Sequence, residues 1–555
     1  MDAEQAKWHK RRWVALAFLG FSLLVISLDT TVVNLALPSI SNAFGSSTSG
    51  MQWIVDAYTL VFASSLLTLG SIGDKIGRKT ILQVGLLAFG FFSLGGALSN
   101  STGTLIGMRA VMGLAAAAIM PSTLSTLTAT FRDPRERAQA IAMWAAVFAL
   151  GSGIGPLVGG YLLEHFSWQA VFYINLPIVV IGLVGGYFFI QNSKDEHPRK
   201  LDIVGSVLSI AGLFALVYAI IEAGQSSWTA PRVLYSFGAA AVLLAAFAVS
   251  EWRSSEPMLP LRFFRNMSFT GANMALTLIS FAMFGIMFFM SQFLQTVQGY
   301  TALQAGVRLL PIAGMSFVAA MMSARIAQRL GTKVTVGTGI LIAAVGLFYI
   351  SRVAKVDTPY GTIAIAMCVV SAGMGLTMSP ATNSIMGSLP VNKAGVGSAM
   401  NDTTRMLGGA LGVAVLGTIM NNIYIAKIDA VLGPAFSSYP QSAPLLEAVR
   451  NSIQGAHIIA GRIADGQIPV PDPALAKIAA DTILNTANHA FMSGMVRAVT
   501  IAGFIMVAAS AITFIILPMR VRPAKEEAQD ASIPETAIGT SPVPALETVE
   551  KEKVD

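Results

Sequence analysis

Asp29, Asp56 and Arg109 are ionisable side chains inside or beside long apolar runs. A carboxylate in the middle of a bilayer costs about 2.5–3.5 kcal/mol on insertion scales, so a chain that keeps one uses it against a cavity or a partner. Asp29 lies some eight residues from the outer end of its run, about 12 Å at the helical rise, and Asp56 some five residues, roughly 8 Å. Arg109 falls at a similar depth, and the three are expected to surround one cavity. Burial disfavours an ionised carboxylate and a nearby cation favours it. A carboxylate that alternates between such surroundings can exchange a proton, or pair with a cation when ionised. A fixed Asp–Arg pair that only holds helices together is the plainer alternative, and Asp56 could also sit at the membrane interface.

Other charges read more simply. Glu222 ends an apolar run and could attract cations, although a solvated helix-end charge explains it as well. Asp402 and Arg405 are three apart, close enough to neutralise each other on one helix face. Phe281, Phe284 and Phe288 share a face with Met287 beside them, a surface suited either to a planar hydrophobic cation or to packing.

Two glycine-rich stretches complete the set. In 70–79, Gly70, Gly73, Asp74, Gly77, Arg78 and Lys79 form a charged hinge between apolar runs. Asp74 there could stabilise the positive end of a helix, while the basic residues anchor the loop. In 151–160, Gly151, Gly155 and Gly159 recur every fourth residue, with Pro156 and Gly160 beside them. Small residues allow close helix contact, and proline removes a backbone donor.

The elements that position these residues follow from composition. Of 555 residues 54% are hydrophobic and only 12% charged, against about 25% charged in soluble domains. About fourteen apolar runs are long enough to cross a bilayer, near 13–37, 51–72, 80–99, 105–130, 137–163, 168–190, 202–222, 231–250, 268–294, 304–327, 333–352, 360–388, 393–421 and 490–518. This predicts an all-α polytopic membrane protein. Lys75, Arg78, Lys79, Arg132, Arg135, Arg137, Lys194, Arg199, Lys200, Arg253, Arg262, Arg265, Arg325, Arg329 and Lys333 fall in loops of one side, whereas 38–50, 99–104 and 295–303 hold no Lys or Arg. That bias puts both termini in the cytoplasm. The net charge of +7 therefore needs no nucleic acid. Cys368, the single cysteine, excludes an internal disulfide.

The chain divides into a cytoplasmic N-terminus (1–12), a six-helix bundle (13–190), two inserted helices (202–250), a second six-helix bundle (268–518) and a disordered cytoplasmic tail (519–555). The halves echo each other: Gly331 and Lys333 match Gly77 and Lys79, with Gln328 in place of Asp74. Segment 422–489 reads as an extracytoplasmic loop with a helical cap at 443–464 and a stiff region at Pro469, Pro471 and Pro473.

Segment 70–79 resembles the loop signature of the major facilitator superfamily. Leu28 through Pro38 resembles the first-helix signature of its fourteen-span drug:proton antiporters. Arg109 with Gly113 is similar to the fourth-helix motif, and 151–160 to the antiporter motif; 168–177 and 401–412 look like further signatures. The resemblance implies two six-helix bundles plus two inserted helices, proton coupling through Asp29 with Arg109 as relay, and Asp74 closing an inner gate against the helix start near Lys393 and Gly395. It implies export of hydrophobic or cationic small molecules across the cell membrane, driven by protons without a cofactor. A dedicated metabolite exporter and a non-transporting receptor stay open as alternatives. No Walker A pattern is present, and no catalytic or metal cluster points to an enzyme. A monomer in membrane lipid is expected; an adaptor in a second membrane is not legible.

Overall fold

A computed structural model describes residues 3–44, 48–193, 202–254, 257–437, 443–468 and 473–520. Among these, all regular structure is helical, and fourteen helices are long and apolar enough to cross a membrane. The basic residues at 194, 199 and 200, the prolines at 469 and 471, and the tail from 521 onward lie outside the described residues.

The first bundle comprises α1 (Ala3–Phe44), α2 (Thr48–Ile76), α3 (Arg78–Ala97), α4 (Thr102–Thr130), α5 (Pro134–His165) and a sixth span made of α6 (Ala170–Tyr173) and α7 (Asn175–Phe189). The inserted pair is α8 (Ile203–Gln225) and α9 (Pro231–Arg253). The second bundle comprises α10 (Met267–Gln292), α11 (Ala302–Leu330), α12 (Thr332–Val353), α13 (Tyr360–Gly387), α14 (Ala394–Ser437) and α17 (Pro473–Ile516). Between the last two lie α15 (Ala443–Asn451) and α16 (Ile453–Ala464).

Local chemistry sets these starts. The side chains of Ser101, Asp133, Asp202 and Asn266 each accept a backbone N–H of the helix that follows, and Thr301 with Gln304 forms a capping box. Such caps satisfy donors that the first helical turn leaves free. Pro134 and Pro231 stand in the first turns of α5 and α9, where the missing N–H does no harm.

Each bundle has its own apolar core, and they meet along two seams. At one, α5 packs on α11; at the other, α2 packs on α14. The inserted α8 lies against both α2 and α14, and α9 packs on α8. The inserted helices thus bridge one seam and leave the other to α5 and α11.

Segment 422–489 differs from the expected loop. Helix α14 continues to Ser437 and α17 begins at Pro473, each 44 residues long. At about 1.5 Å per residue each is roughly 66 Å long, about twice the hydrocarbon thickness. Apolar residues simply continue at helical spacing past the membrane-length window. The anticipated cap at 443–464 is two helices, broken where Ser452 caps α16. Leu446, Val449, Ile453 and Ile459 bury its apolar face against the second bundle.

The hinge of each half is built alike. Gly77 and Gly331 have φ of 122° and 87°, a region open to glycine. The residue after each donates its backbone N–H to the segment just past the last span of its own half: Arg78 to Ser193 O at 3.0 Å and Thr332 to Met519 O at 2.8 Å.

Candidate functional site

Asp29 and Arg109 meet in the interior of the first bundle. Asp29 comes from α1 and Arg109 from α4, with side chains 0% and 1% exposed. An Arg109 guanidinium nitrogen donates to Asp29 Oδ2 at 2.5 Å. The other carboxylate oxygen accepts from Asn175 Nδ2 of α7 at 3.1 Å. Asn175 also donates to Ser93 Oγ of α3 at 3.1 Å, and Ser93 donates to the Phe172 carbonyl at 2.9 Å. Arg109 Nε donates to the Ile54 carbonyl of α2 at 3.2 Å, and its guanidinium lies 4.2 Å from the centre of the Tyr58 ring. Gly113, one turn along α4 from Arg109, lies against the Tyr58 backbone and lets α2 and α4 approach. Four helices therefore converge on one ion pair. Tyr58 Oη and Asn175 Oδ1 are buried there with no hydrogen-bond partner, so the cluster has unused polar atoms that a change in protonation could engage.

Asp56 occupies a different face of α2 from Tyr58. It is half-buried on α2, two residues from Tyr58, which turns it about 200° round the helix axis. Glu222 is elsewhere. Its carboxylate is largely buried and pairs with Arg232 of α9 at 2.6 Å, fastening the inserted helices to each other.

At the end of the bundles that holds the 70–79 hinge, here the Asp74 end, a second cluster crosses between the halves. Both oxygens of Asp74 accept the Gly395 backbone N–H at 2.8 Å, and Oδ2 also accepts that of Val396 at 3.2 Å. These are first-turn donors of α14, the helix start that the family resemblance implies. Arg78 holds the same carboxylate through Nε at 2.9 Å and a terminal nitrogen at 2.7 Å. Gly70 lies against the Gly395 carbonyl and the Ala399 methyl, an approach that no larger residue allows. Gly73 has only ordinary contacts, with Ser122 and Ile81. Lys79 donates to the Tyr187 carbonyl at 2.7 Å and so ties α3 to α7.

The glycine stretch of α5 has two faces. Gly151, Gly155 and Gly159 pack on Ser27, Thr31 and Val32 with Leu35, all on α1 of the same bundle. Contact with the other bundle falls to Gly153 on Ala313 and Gly160 on Leu303, with Pro156 and Leu157 against Gly306. The close helix contact that the every-fourth-residue face permits is thus made within the first bundle, and the residues between these glycines meet the other half. Both seams are closed at the Asp74 end, where Ala138 and Ala142 of α5 also pack on Ala324 of α11.

The aromatic surface is mostly used for packing. The Phe284 ring lies against Gly409 of α14, whereas Phe281 is buried and meets Gly412 through its backbone. Met287 is half-buried and Phe288 is exposed. Asp402 and Arg405 form the ion pair that their spacing predicts, at 3.8 Å with both side chains buried, but no hydrogen bond joins them. Asn175, Ser93 and Tyr58 are the pair's neighbours that sequence reasoning did not single out. Asn175, a lone amide between Ile174 and Leu176, was the available signal.

The model of the family described as Major Facilitator Superfamily matches residues 19–413. The Multidrug efflux pump LfrA of Mycolicibacterium smegmatis is 36% identical over 502 residues, covering 90% of this chain and 95% of that protein. The Tetracenomycin C resistance and export protein of Streptomyces glaucescens is 30% identical over 530 residues, covering 95% and 96%. Among solved structures, the human organic anion transporter MFSD10 (TETRAN) superposes with a TM-score of 0.56 at 13% identity, covering 90% of this chain and 99% of that one. That likeness is one of fold.

Proposed function

The chain belongs to the Major Facilitator Superfamily, and from that premise we propose that it couples drug export to proton entry. It is a multi-pass membrane protein and a drug exporter of the multidrug-efflux kind. The driving force is the proton gradient, with no cofactor, and the termini are cytoplasmic. The Asp74 end, rich in Lys and Arg at 75, 78, 79, 132, 135 and 137, is the cytoplasmic end by the positive-inside bias.

One observation carries the coupling: the Asp29 carboxylate is sealed from solvent with both oxygens engaged, by Arg109 and Asn175. Protonation removes its charge and weakens the charge-assisted bond to Arg109. Arg109 stays anchored by the Ile54 carbonyl and the Tyr58 ring. The proton thus changes how α1, α2, α4 and α7 are held together without emptying the site. Opening the cytoplasmic end requires Asp74 to release Gly395 and Val396, and Ala138 and Ala142 to part from Ala324. Rocking of two bundles about a midplane site is how such repeats alternate access.

The test is dye efflux in everted vesicles under an imposed pH gradient, with and without a protonophore. Export that collapses with the protonophore and in Asp29→Asn supports coupling. Gradient-driven export at the wild-type rate in Asp29→Asn refutes it.

A further inference from the structure

Among the described residues three Asp–Arg pairs have almost wholly buried side chains, and they are not built alike. Asp74–Arg78 and Asp29–Arg109 are closed by hydrogen bonds of 2.5–2.9 Å. Asp402–Arg405 stands open at 3.8 Å. Asp402 Oδ1 accepts instead from Asn401 at 3.0 Å, while its Oδ2 and all three guanidinium nitrogens of Arg405 have no hydrogen-bond partner. A guanidinium offers five N–H donors in a fixed fork, and leaving them unmatched in a dry interior is costly. An arginine present only to neutralise Asp402 would be held as Arg78 is held by Asp74.

The surroundings of Arg405 lie across the boundary between bundles. Its guanidinium carbon is 4.4 Å from the centre of the Phe148 ring and 5.9 Å from that of Trp144, both on α5. Trp144 is itself fixed, since its Nε1 donates to Thr123 Oγ1 at 3.0 Å. Along α14 every residue from Ala394 to Arg405 is buried except Met400; Met406 and Leu407 are half-buried, as is Phe148 on α5. Arg405 therefore stands where the closed Asp74 end gives way to part-exposed helix surface.

We propose that Arg405, walled by Trp144 and Phe148, is a cargo subsite for a planar aromatic compound bearing a carboxylate. The fork of the guanidinium matches a carboxylate with two parallel hydrogen bonds, and the indole and phenyl faces accept a flat ring. This rests on the export reading and deepens it. Arg405, between the bundles, extends the cargo to zwitterions and aromatic acids.

The test is fluorescence anisotropy with purified protein and two dyes, a cationic xanthene with a carboxylate on its phenyl ring and the same dye without that group. Arg405→Gln should weaken binding of the carboxylate dye about tenfold or more, the loss of a charge-assisted hydrogen bond, and leave the other dye unaffected. Arg405→Lys should recover part of the loss. Because Arg405→Gln strands a buried carboxylate, the pair Asp402→Asn with Arg405→Gln is measured alongside, with its thermal midpoint as a check of folding; it should show the same dye selectivity. Equal losses for both dyes, or no loss for either, overturn the subsite while leaving export intact. A wild type that binds neither dye overturns the subsite and the export reading together.

Discussion

Asp74 grips Gly395 through both carboxylate oxygens, each 2.8 Å from the backbone nitrogen, across a sequence separation of 321 residues. The two halves are thereby joined by main chain on one side and a single acid on the other. The positive end of α14 adds to the attraction.

Asp74→Asn should therefore loosen the Asp74 end. Each hydrogen bond from a neutral donor to the charged group is worth about 1.5–3 kcal/mol, so losing the charge shifts the balance toward opening by about tenfold or more. In a Cys368→Ser background, which removes the single cysteine, a cysteine at Ala324 should react faster with a water-soluble maleimide when Asp74 is changed. Drug affinity should persist while turnover falls. Unchanged labelling would show that Asp74 does not hold this end shut.

Arg109→Gln should be worse for stability than Asp29→Asn with Arg109→Gln together. Removing one partner of a buried ion pair leaves an uncompensated charge and costs about 3–5 kcal/mol, whereas removing both costs much less. Thermal unfolding of the two variants in detergent measures the difference. Equal midpoints would deny that Arg109 compensates a buried charge on Asp29.

The two glycine faces of α5 should fail in different ways. Gly155→Val drives a branched side chain into Thr31 within the first bundle, and overpacking of this kind costs about 1–3 kcal/mol. Its thermal midpoint should drop. Gly153→Val instead meets Ala313 across the boundary between bundles, so transport should fall with a smaller change in midpoint. Equivalent thermal losses in both would deny that the faces have separate tasks.

Much of this was legible because each span is a long apolar run and each hinge a charged interruption. Helix starts attract acids, but half of the spans begin at that end, so the start near Gly395 was named through the family resemblance and not by elimination. The Asp29–Arg109 pair followed from matching depths. Other features were not legible because depth carries no azimuth. Asp56 shares the depth of Arg109 but faces another way from Tyr58, and Gly151, Gly155 and Gly159 make a face without saying which neighbour it meets. The reach of α14 and α17 beyond the bilayer was hidden because hydropathy reports solvent, whereas helical periodicity continues past it. The Asp402–Arg405 ion pair was legible from its three-residue spacing, but not its open geometry, because spacing permits a contact without fixing its hydrogen bonds.

The matching backbone bonds after Gly77 and Gly331 have a consequence for how such a chain can change. Tandem copies of one ancestral half would each retain this main-chain frame, because it depends on no side chain. The acid was free to differ, and Gln328 stands where a second Asp74 would be. Restoring a carboxylate there would offer a route to a transporter latched twice at the same face, with its resting orientation set by how many acids it carries.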